Sequence, residues 1–142
     1  MQTLPVEVHG VAVDSSGNNM VILRETEGGK FLPIVVGPFE AQVILLYLEG
    51  LTPERPLTHH LMAELCYQVG AQVKQVVITD LLNEVFYADV YVDREGEELV
   101  LDARPSDAIA LALAFKAPIS MNLKLIEFTI DPEQISIPPE QL

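Results

Sequence analysis

The sequence predicts an α+β fold with a largely antiparallel or mixed sheet, built from two strand–strand–strand–helix pseudo-repeats plus one extra helix. Two observations carry this prediction. An apolar strand pattern runs directly into an apolar helix pattern twice, and setting Pro38 on Pro105, an offset of 67 residues, places Glu40 on Asp107. Three strand patterns separated by turn residues precede each of these helices. Function is therefore to be sought where the two helix starts meet.

The first pseudo-repeat is predicted from alternating apolar residues and turn signals. Pro33 lies within its third strand and indicates an edge strand or a bulge, because proline donates no ladder hydrogen bond. The helix that follows has Pro38 in its first turn and Gly50 just past its end, which are the favoured places for those residues. The predicted elements are strands over 6–13, 20–24 and 30–36 and a helix over 38–49.

The extra helix and the second pseudo-repeat follow a stiff connector that contains two prolines. Thr58 is a favourable N-cap for the extra helix, which ends at Gly70. Its apolar residues fall on one stripe, which predicts a helix with a single solvent-exposed face. That stripe consists of Leu61, Met62, Leu65, Cys66 and Val69. Further strands are predicted over 71–81, 84–92 and 97–102, then a helix over 105–116 and a short last strand over 118–123.

The composition predicts one folded domain over residues 1–130, followed by a Pro-rich acidic tail over 131–142 that frays. The single cysteine and the absence of a signal-peptide pattern predict a cytoplasmic protein, and no apolar stretch is long enough to predict a membrane span. The net charge of −13 disfavours sequence-independent attraction to phosphate backbones, so a nucleic-acid site would need a local basic focus or a bridging metal ion.

The helices over 38–49 and 105–116 are apolar nearly all round. Such helices need cover on every side. This predicts either a homo-oligomer, in which a partner subunit closes one face, or helices enclosed within the chain itself.

Asp102, Arg104, Ser106 and Asp107 form the densest polar cluster in an otherwise apolar stretch. One interpretation is structural: Ser106 caps the helix, Asp107 favours its positive end, and Arg104 pairs with an acid. The other is functional: Asp102, Asp107 and Glu40 converge, Glu40 and Asp107 hold Mg²⁺ or Mn²⁺, and Arg104 steadies a phosphate. The spacing alone does not choose between them.

A second polar group surrounds the start of the extra helix. Arg55, Thr58 and His59 bring a guanidinium, a hydroxyl and an imidazole to that position. Together they are candidates for binding an anion at the helix N-terminus. The sequence contains no Gly-rich phosphate loop and no motif for an organic cofactor, so none is predicted.

Three segments, residues 32–41, 55–59 and 102–111, together resemble the bifunctional nuclease family. The resemblance extends over most of the chain and implies an α+β domain, often oligomeric, with nuclease activity on both RNA and DNA. The resemblance supplies no catalytic residue set. If cleavage occurs, we expect the catalytic residues to be Glu40, Asp107, Asp102 and His59, with Glu40 and Asp107 also as the metal ligands. The expected substrate-binding residues are Arg104, Arg55, Thr58 and Ser106.

A non-catalytic function remains as the alternative. In it, the chain is an oligomeric binding module, and the acids and arginines are internal ion pairs that hold the two halves together. Carboxylates saturated by arginine would favour this alternative, whereas carboxylates lining an open cleft would favour the nuclease.

Overall fold

A computed structural model describes residues 1–135 and confirms the α+β class, with a seven-stranded mixed sheet and three α-helices. The strands are β1 (Thr3–Val13), β2 (Asn19–Glu25), β3 (Phe31–Val36), β4 (Ala71–Leu82), β5 (Val85–Arg94), β6 (Glu97–Ala103) and β7 (Ile119–Asn122). The helices are α1 (Pro38–Glu49), α2 (Thr58–Gln68) and α3 (Pro105–Phe115), and short 3-10 helices span Leu123–Phe128 and Pro132–Gln134.

The sheet is pseudo-symmetric about its central strand. Its order is β3-β2-β1-β7-β4-β5-β6, so each three-stranded antiparallel meander flanks β7 on one side. β7 pairs antiparallel with β1 and parallel with β4, and the two meanders therefore run in opposite senses. Each meander feeds its own helix, α1 after β3 and α3 after β6. The two pseudo-repeats predicted from the sequence thus correspond to the two halves of the sheet, one on each side of β7.

The main core lies between one sheet face and the helices. α3 is the most deeply buried helix, with Ala108 to Ala112 all buried, and it packs against α1, α2, β4 and β5. The enclosure of α3 within the chain agrees with the second of the two sequence-based alternatives. On the opposite sheet face a smaller cluster of Ala12, Ile22 and Phe31 is covered in part by Ile130 and Ile135.

The sheet is strongly coiled. In a flat sheet six strand spacings would separate β3 from β6 by about 29 Å. Yet Arg104, directly after β6, contacts Glu40, four residues after β3, with an Nη1–Oε1 distance of 3.3 Å. The coil therefore brings the carboxyl ends of the two edge strands together and makes neighbours of the two helix starts.

Two local predictions need correction. The N-cap of α2 is Leu57, and Thr58 is instead the first helical residue. The apolar stripe of α2 was expected to be covered, but only Cys66 in it is half-buried; its other members, Leu61, Met62, Leu65 and Val69, are exposed. Of the predicted tail, residues 131–135 form a 3-10 turn whose Ile135 packs on the sheet, and residues 136–142 lie outside the described residues.

Candidate active site

All three α-helices begin at one place. Glu40 lies in the first turn of α1, His59 in the first turn of α2 and Asp107 in the first turn of α3. Each helix N-terminus carries about half a positive charge and a set of free backbone N–H groups. The meeting of three such ends creates a region that favours negatively charged groups.

Arg104 joins the two pseudo-repeats at this point. Its Nε donates to Asp107 Oδ2 at 2.8 Å and its Nη2 donates to Asp107 Oδ1 at 3.1 Å, a two-pronged contact within the second repeat. Its Nη1 donates to Glu40 Oε1 at 3.3 Å, across to the first repeat. One guanidinium therefore forms ion pairs with both of the carboxylates that the pseudo-repeat places in equivalent positions.

His59 completes the cluster from α2. Its Nε2 lies 2.8 Å from Asp107 Oδ1, and the imidazole is largely shielded from solvent. An ionised carboxylate only accepts hydrogen bonds, so the proton of this contact resides on Nε2. The other ring nitrogen, Nδ1, is then the one that accepts a proton when the imidazole is neutral.

The charge states of this cluster are fixed by its own contacts. Partial burial acts to raise the pKa of Asp107, but the hydrogen bonds from Arg104 and His59 outweigh it and place that pKa below its ordinary value of 3.8. The pKa of Arg104 is raised, first by its hydrogen bond to Asp107 and then by the Asp107 charge. Asp107 is thus a carboxylate and Arg104 a cation at neutral pH.

This arrangement predicts a pH dependence of stability. A carboxyl whose pKa is lower in the folded than in the unfolded chain stabilises the fold above its unfolded pKa and loses that contribution as the pH falls through its folded pKa. We expect Asp107→Asn to lower the melting temperature at neutral pH, with the gap to wild type closing below about pH 3.8. Thermal unfolding of both proteins from neutral pH downwards measures this. A gap of constant size across the range would contradict it.

The cluster lines one side of an open cleft with a volume of about 700 Å³. Glu40, His59, Arg104 and Asp107 supply its polar wall. The rest of the lining is mostly apolar and comes from α1, α2 and their connector. These residues are Phe39, Val43, Leu46, Pro53, Leu57 and Met62, with Gln42 and Thr58 as further polar members.

Five predicted site residues line the cleft, four of them joined by hydrogen bonds, and the other three lie elsewhere. Thr58 lines the cleft as an exposed residue at the first position of α2. Ser106 is buried, borders a separate groove and does not cap α3, whose N-cap is Arg104. Asp102 is exposed on β6 opposite Asp89, on the sheet face away from the helices. Arg55 is exposed in the connector and is not part of the cleft lining.

Two contributors to the site, His60 and Phe39, were not among the predicted site residues. His60 accepts a hydrogen bond from the Leu57 backbone N–H at its Nδ1 (3.3 Å) and stacks on Tyr47 of α1, with ring centroids 5.1 Å apart. It thereby fixes the start of α2 and with it the position of His59. Phe39 is 80% exposed beside Glu40 at the cleft. Phe39 could have been noticed from the sequence, because it is an aromatic residue next to the acid in the first turn of a predicted helix.

The carboxylates as they stand do not fit a divalent cation. Both oxygens of Asp107 and one of Glu40 are engaged by Arg104 and His59, and the guanidinium lies between the two acids. Within residues 1–135, no three His, Cys, Asp or Glu side chains are grouped so as to hold a metal ion. Arg104 supplies the positive charge that the sequence analysis assigned to Mg²⁺ or Mn²⁺.

Comparison with known proteins assigns the chain to a family. The family model of the bifunctional nuclease domain matches residues 21–131, which is most of the chain. The chain belongs to the bifunctional nuclease domain family. The three segments that resemble this family, residues 32–41, 55–59 and 102–111, each contribute residues to the wall of the cleft.

Relatives within the family are bacterial and plant proteins. An uncharacterized protein of Mycobacterium tuberculosis strain H37Rv is 43% identical over 115 residues, which cover 80% of this chain and 68% of the relative. Bifunctional nuclease 1 of Oryza sativa subsp. indica is 29% identical over 116 residues, and Bifunctional nuclease 2 of Arabidopsis thaliana is 27% identical over 109 residues. The match covers 79% and 74% of this chain but only 35% and 33% of the plant proteins.

Proposed function

We propose that the chain hydrolyses phosphodiester bonds in RNA and DNA at the cleft where the three helices begin. The main support for this proposal is a hydrogen-bonded cluster that lines an open cleft. The cluster runs from Glu40 through Arg104 and Asp107 to His59. Membership of the bifunctional nuclease domain family supports the reaction class, and the names of the plant relatives support it further.

The proposed proton-transfer group is His59. Asp107 holds its imidazole through Nε2, in the manner of an acid that orients a catalytic histidine. Nδ1 is then available to take a proton from the attacking water or, once protonated, to give one to the leaving oxygen. A positioned general acid or base of this kind contributes about 10²- to 10⁴-fold in rate.

The proposed phosphate contacts are Arg104 and the helix ends. The Arg104 side chain is 65% exposed, so the guanidinium has an open face although it already pairs with two acids. The three helix N-termini add partial positive charge and backbone N–H donors. Together these groups offer a phosphate a guanidinium and backbone N–H donors, beside the two carboxylates, in a chain whose net charge is −13.

Phe39 is proposed to stack on a base next to the scissile phosphate. Stacking on an exposed aromatic side chain is worth about 1–3 kcal/mol per base. We therefore expect Phe39→Ala to raise KM for a single-stranded oligonucleotide roughly 5- to 150-fold with kcat within about twofold. Steady-state kinetics measure this, with Phe128→Ala as the control at another partly exposed aromatic residue. A loss of kcat at unchanged KM would contradict the assignment.

Dependence on Mg²⁺ or Mn²⁺ stays a prediction, and the mechanism above includes no step at a metal. The second carboxylate oxygen of Glu40 is the ligand that Arg104 leaves available. A homo-oligomer and a cytoplasmic location likewise stay proposals; no helix in residues 1–135 is both long and apolar enough to span a bilayer.

A second candidate function rests on the same ion pairs. Because Arg104 forms ion pairs with both carboxylates and so joins the two repeats, the cluster also suits a purely structural clamp in a binding module. The nuclease is favoured because the cluster faces a cleft of about 700 Å³ instead of being enclosed.

The deciding experiment is cleavage of single-stranded RNA and DNA by the purified chain with Mg²⁺, Mn²⁺ or EDTA. A Glu40→Ala/Asp107→Ala double variant is assayed beside it, after circular dichroism has established that it folds. Cleavage that this variant loses supports the proposal, and cleavage retained in EDTA assigns the reaction to the protein's own groups. Cleavage equal in both proteins, or none under any condition, rejects it.

A further inference from the structure

A second groove opens beside the cleft, and Arg104 lines both. The groove has a volume of about 390 Å³, and its two walls are the carboxyl end of the edge strand β3 and residues 84–86 at the start of β5. β6 stops pairing with β5 at Ala103 and Ala88, so the first residues of β5 have no strand on their outer side. The groove is therefore the gap that the coiled sheet leaves between its two edges, and residues 104–106 at the start of α3 complete its lining.

Ser106 brings an unused polar group to this groove. The residue is only 6% exposed, and its hydroxyl has no hydrogen-bond partner within residues 1–135. In that part of the chain, the side-chain polar atom that is both fully enclosed and unpartnered is an oxygen of Glu25, so the Ser106 hydroxyl keeps an opening, and the groove is the cavity that Ser106 lines. Because buried polar groups normally have partners, this hydroxyl points to a ligand that forms a hydrogen bond with it.

The walls of the groove suit a nucleobase. Val35 and Val85 are 61 and 53% exposed, and with the half-buried Pro33 and Phe86 they give the groove apolar sides. A base has two apolar faces and polar edges, and bases unstacked from a strand bind to proteins through both. Glu84 adds a carboxylate to the lining, which accepts a hydrogen bond from the amino group of a base but repels a phosphate.

An extended peptide fits this groove less well than a base. A peptide strand would add to the edge strand β3 through the backbone N–H groups that point away from β2. The Phe31 N–H is one of these, since it donates to the Ile130 carbonyl. Alternate residues of a strand turn their N–H groups to the same side, so Pro33 occupies the next such position and has no N–H to donate. The edge is therefore interrupted at the point where it lines the groove.

We propose that this groove binds one base of a nucleic-acid strand, with the adjoining phosphate at Arg104 and the next base on Phe39 in the cleft. The inference rests on the proposed function for the position of the phosphate. Because Arg104 lines both cavities, the bases on either side of that phosphate enter different cavities and are drawn apart. Bases in a duplex stay paired and stacked, whereas those of single strands and loops can be splayed in this way. The substrate class is therefore single-stranded RNA or DNA.

Fluorescence anisotropy tests this with a short labelled DNA strand whose phosphorothioate linkages resist hydrolysis, used alone and annealed to its complement. The wild-type chain is expected to bind the single strand at least about 10-fold more tightly than the duplex. Val85→Glu should weaken single-strand binding by about 10-fold or more, and Ser106→Ala by about 2- to 10-fold, through loss of a base contact or of one hydrogen bond. The matched control is Val100→Glu, which adds the same charge at a residue 50% exposed on β6 outside the groove, and it should bind like the wild type.

Circular dichroism establishes that each variant folds, and Val35→Glu on the opposite wall replaces Val85→Glu if that variant does not. Folded Val85→Glu and Ser106→Ala variants that bind like the wild type overturn the inference. So does a wild-type chain that binds no single strand, or that binds the duplex as tightly. A Val100→Glu variant that weakens binding as much as Val85→Glu also overturns it, because the added charge alone would then explain the loss.

The test separates this inference from the proposed hydrolysis, because it measures binding without cleavage. A chain that binds in the expected pattern but cleaves no RNA or DNA supports the groove and rejects the hydrolysis. A chain that cleaves while both groove variants bind like the wild type supports the hydrolysis and rejects the groove.

Discussion

Asp107→Asn should lower kcat/KM for RNA and DNA cleavage by about 10²- to 10⁴-fold while the protein stays folded. The substitution keeps the shape of the side chain but removes the charge that accepts hydrogen bonds from His59 and Arg104. An amide nitrogen in place of one oxygen also disfavours the tautomer that leaves Nδ1 free as the base. Initial cleavage rates of both proteins at matched concentration measure the effect.

The matched control for this prediction is Asp102→Asn. Asp102 is an acid only five positions away, but it is exposed on the far face of the sheet, so its loss should leave cleavage within about twofold. Combining Asp107→Asn with His59→Asn should cost little more than the worse single change, because residues that act as one unit are not additive. If the fold losses in kcat/KM of the two single variants multiply in the double variant, His59 and Asp107 act separately. A fully active Asp107→Asn variant would exclude the proposed mechanism.

Arg104→Met should reduce cleavage by about 10²- to 10³-fold, the loss that follows removal of one positioned charge stabiliser. Arg104→Lys should not restore the activity. An ammonium group lacks the planar fork with which arginine contacts Asp107 through two nitrogens and Glu40 through a third. Because the Arg104 side chain is 65% exposed, unfolding in urea should reveal a stability loss of only about 1 kcal/mol.

Arg55→Met is the control for Arg104, since Arg55 is an exposed arginine outside the cleft lining. Its cleavage rate and stability should match those of the wild type. Full activity in Arg104→Lys would rule out a role that depends on the guanidinium. A large loss of stability in Arg104→Met, combined with no detectable cleavage by any variant or by the wild type, would favour the structural clamp.

The sequence contained the local parts of this fold because each depends on neighbouring residues. A buried strand followed by proline and an acid in the first helical turn occurs at Pro38 and again at Pro105, and both helices begin there. Pro33 indicated an edge strand, and β3 is one. The pairing of Glu40 with Asp107 followed from the repeat, although the side chain between them, Arg104, was expected to bind one acid or a phosphate.

The remaining features depend on contacts between distant parts of the chain. The four residues of β7 form a pattern too short to reveal that they occupy the centre of the sheet. The coil that brings β3 to β6 is a property of all seven strands and has no signature in any one of them. For α2, periodicity located the apolar stripe but not the direction in which it points, which depends on how the deeper α3 fills the core.

The central position of β7 also bears on the order in which the two halves of the sheet come together during synthesis. β1 and β4 have no ladder with each other and are joined through β7, whose pairing with β1 links Thr3 to Asn122. Contacts of such long sequence separation form late and slowly. We therefore expect the two meanders to assemble first, and the complete sheet that brings Glu40 beside Arg104 to form only after Asn122 has left the ribosome. Translation therefore delays the cleft until nearly the whole domain has been made.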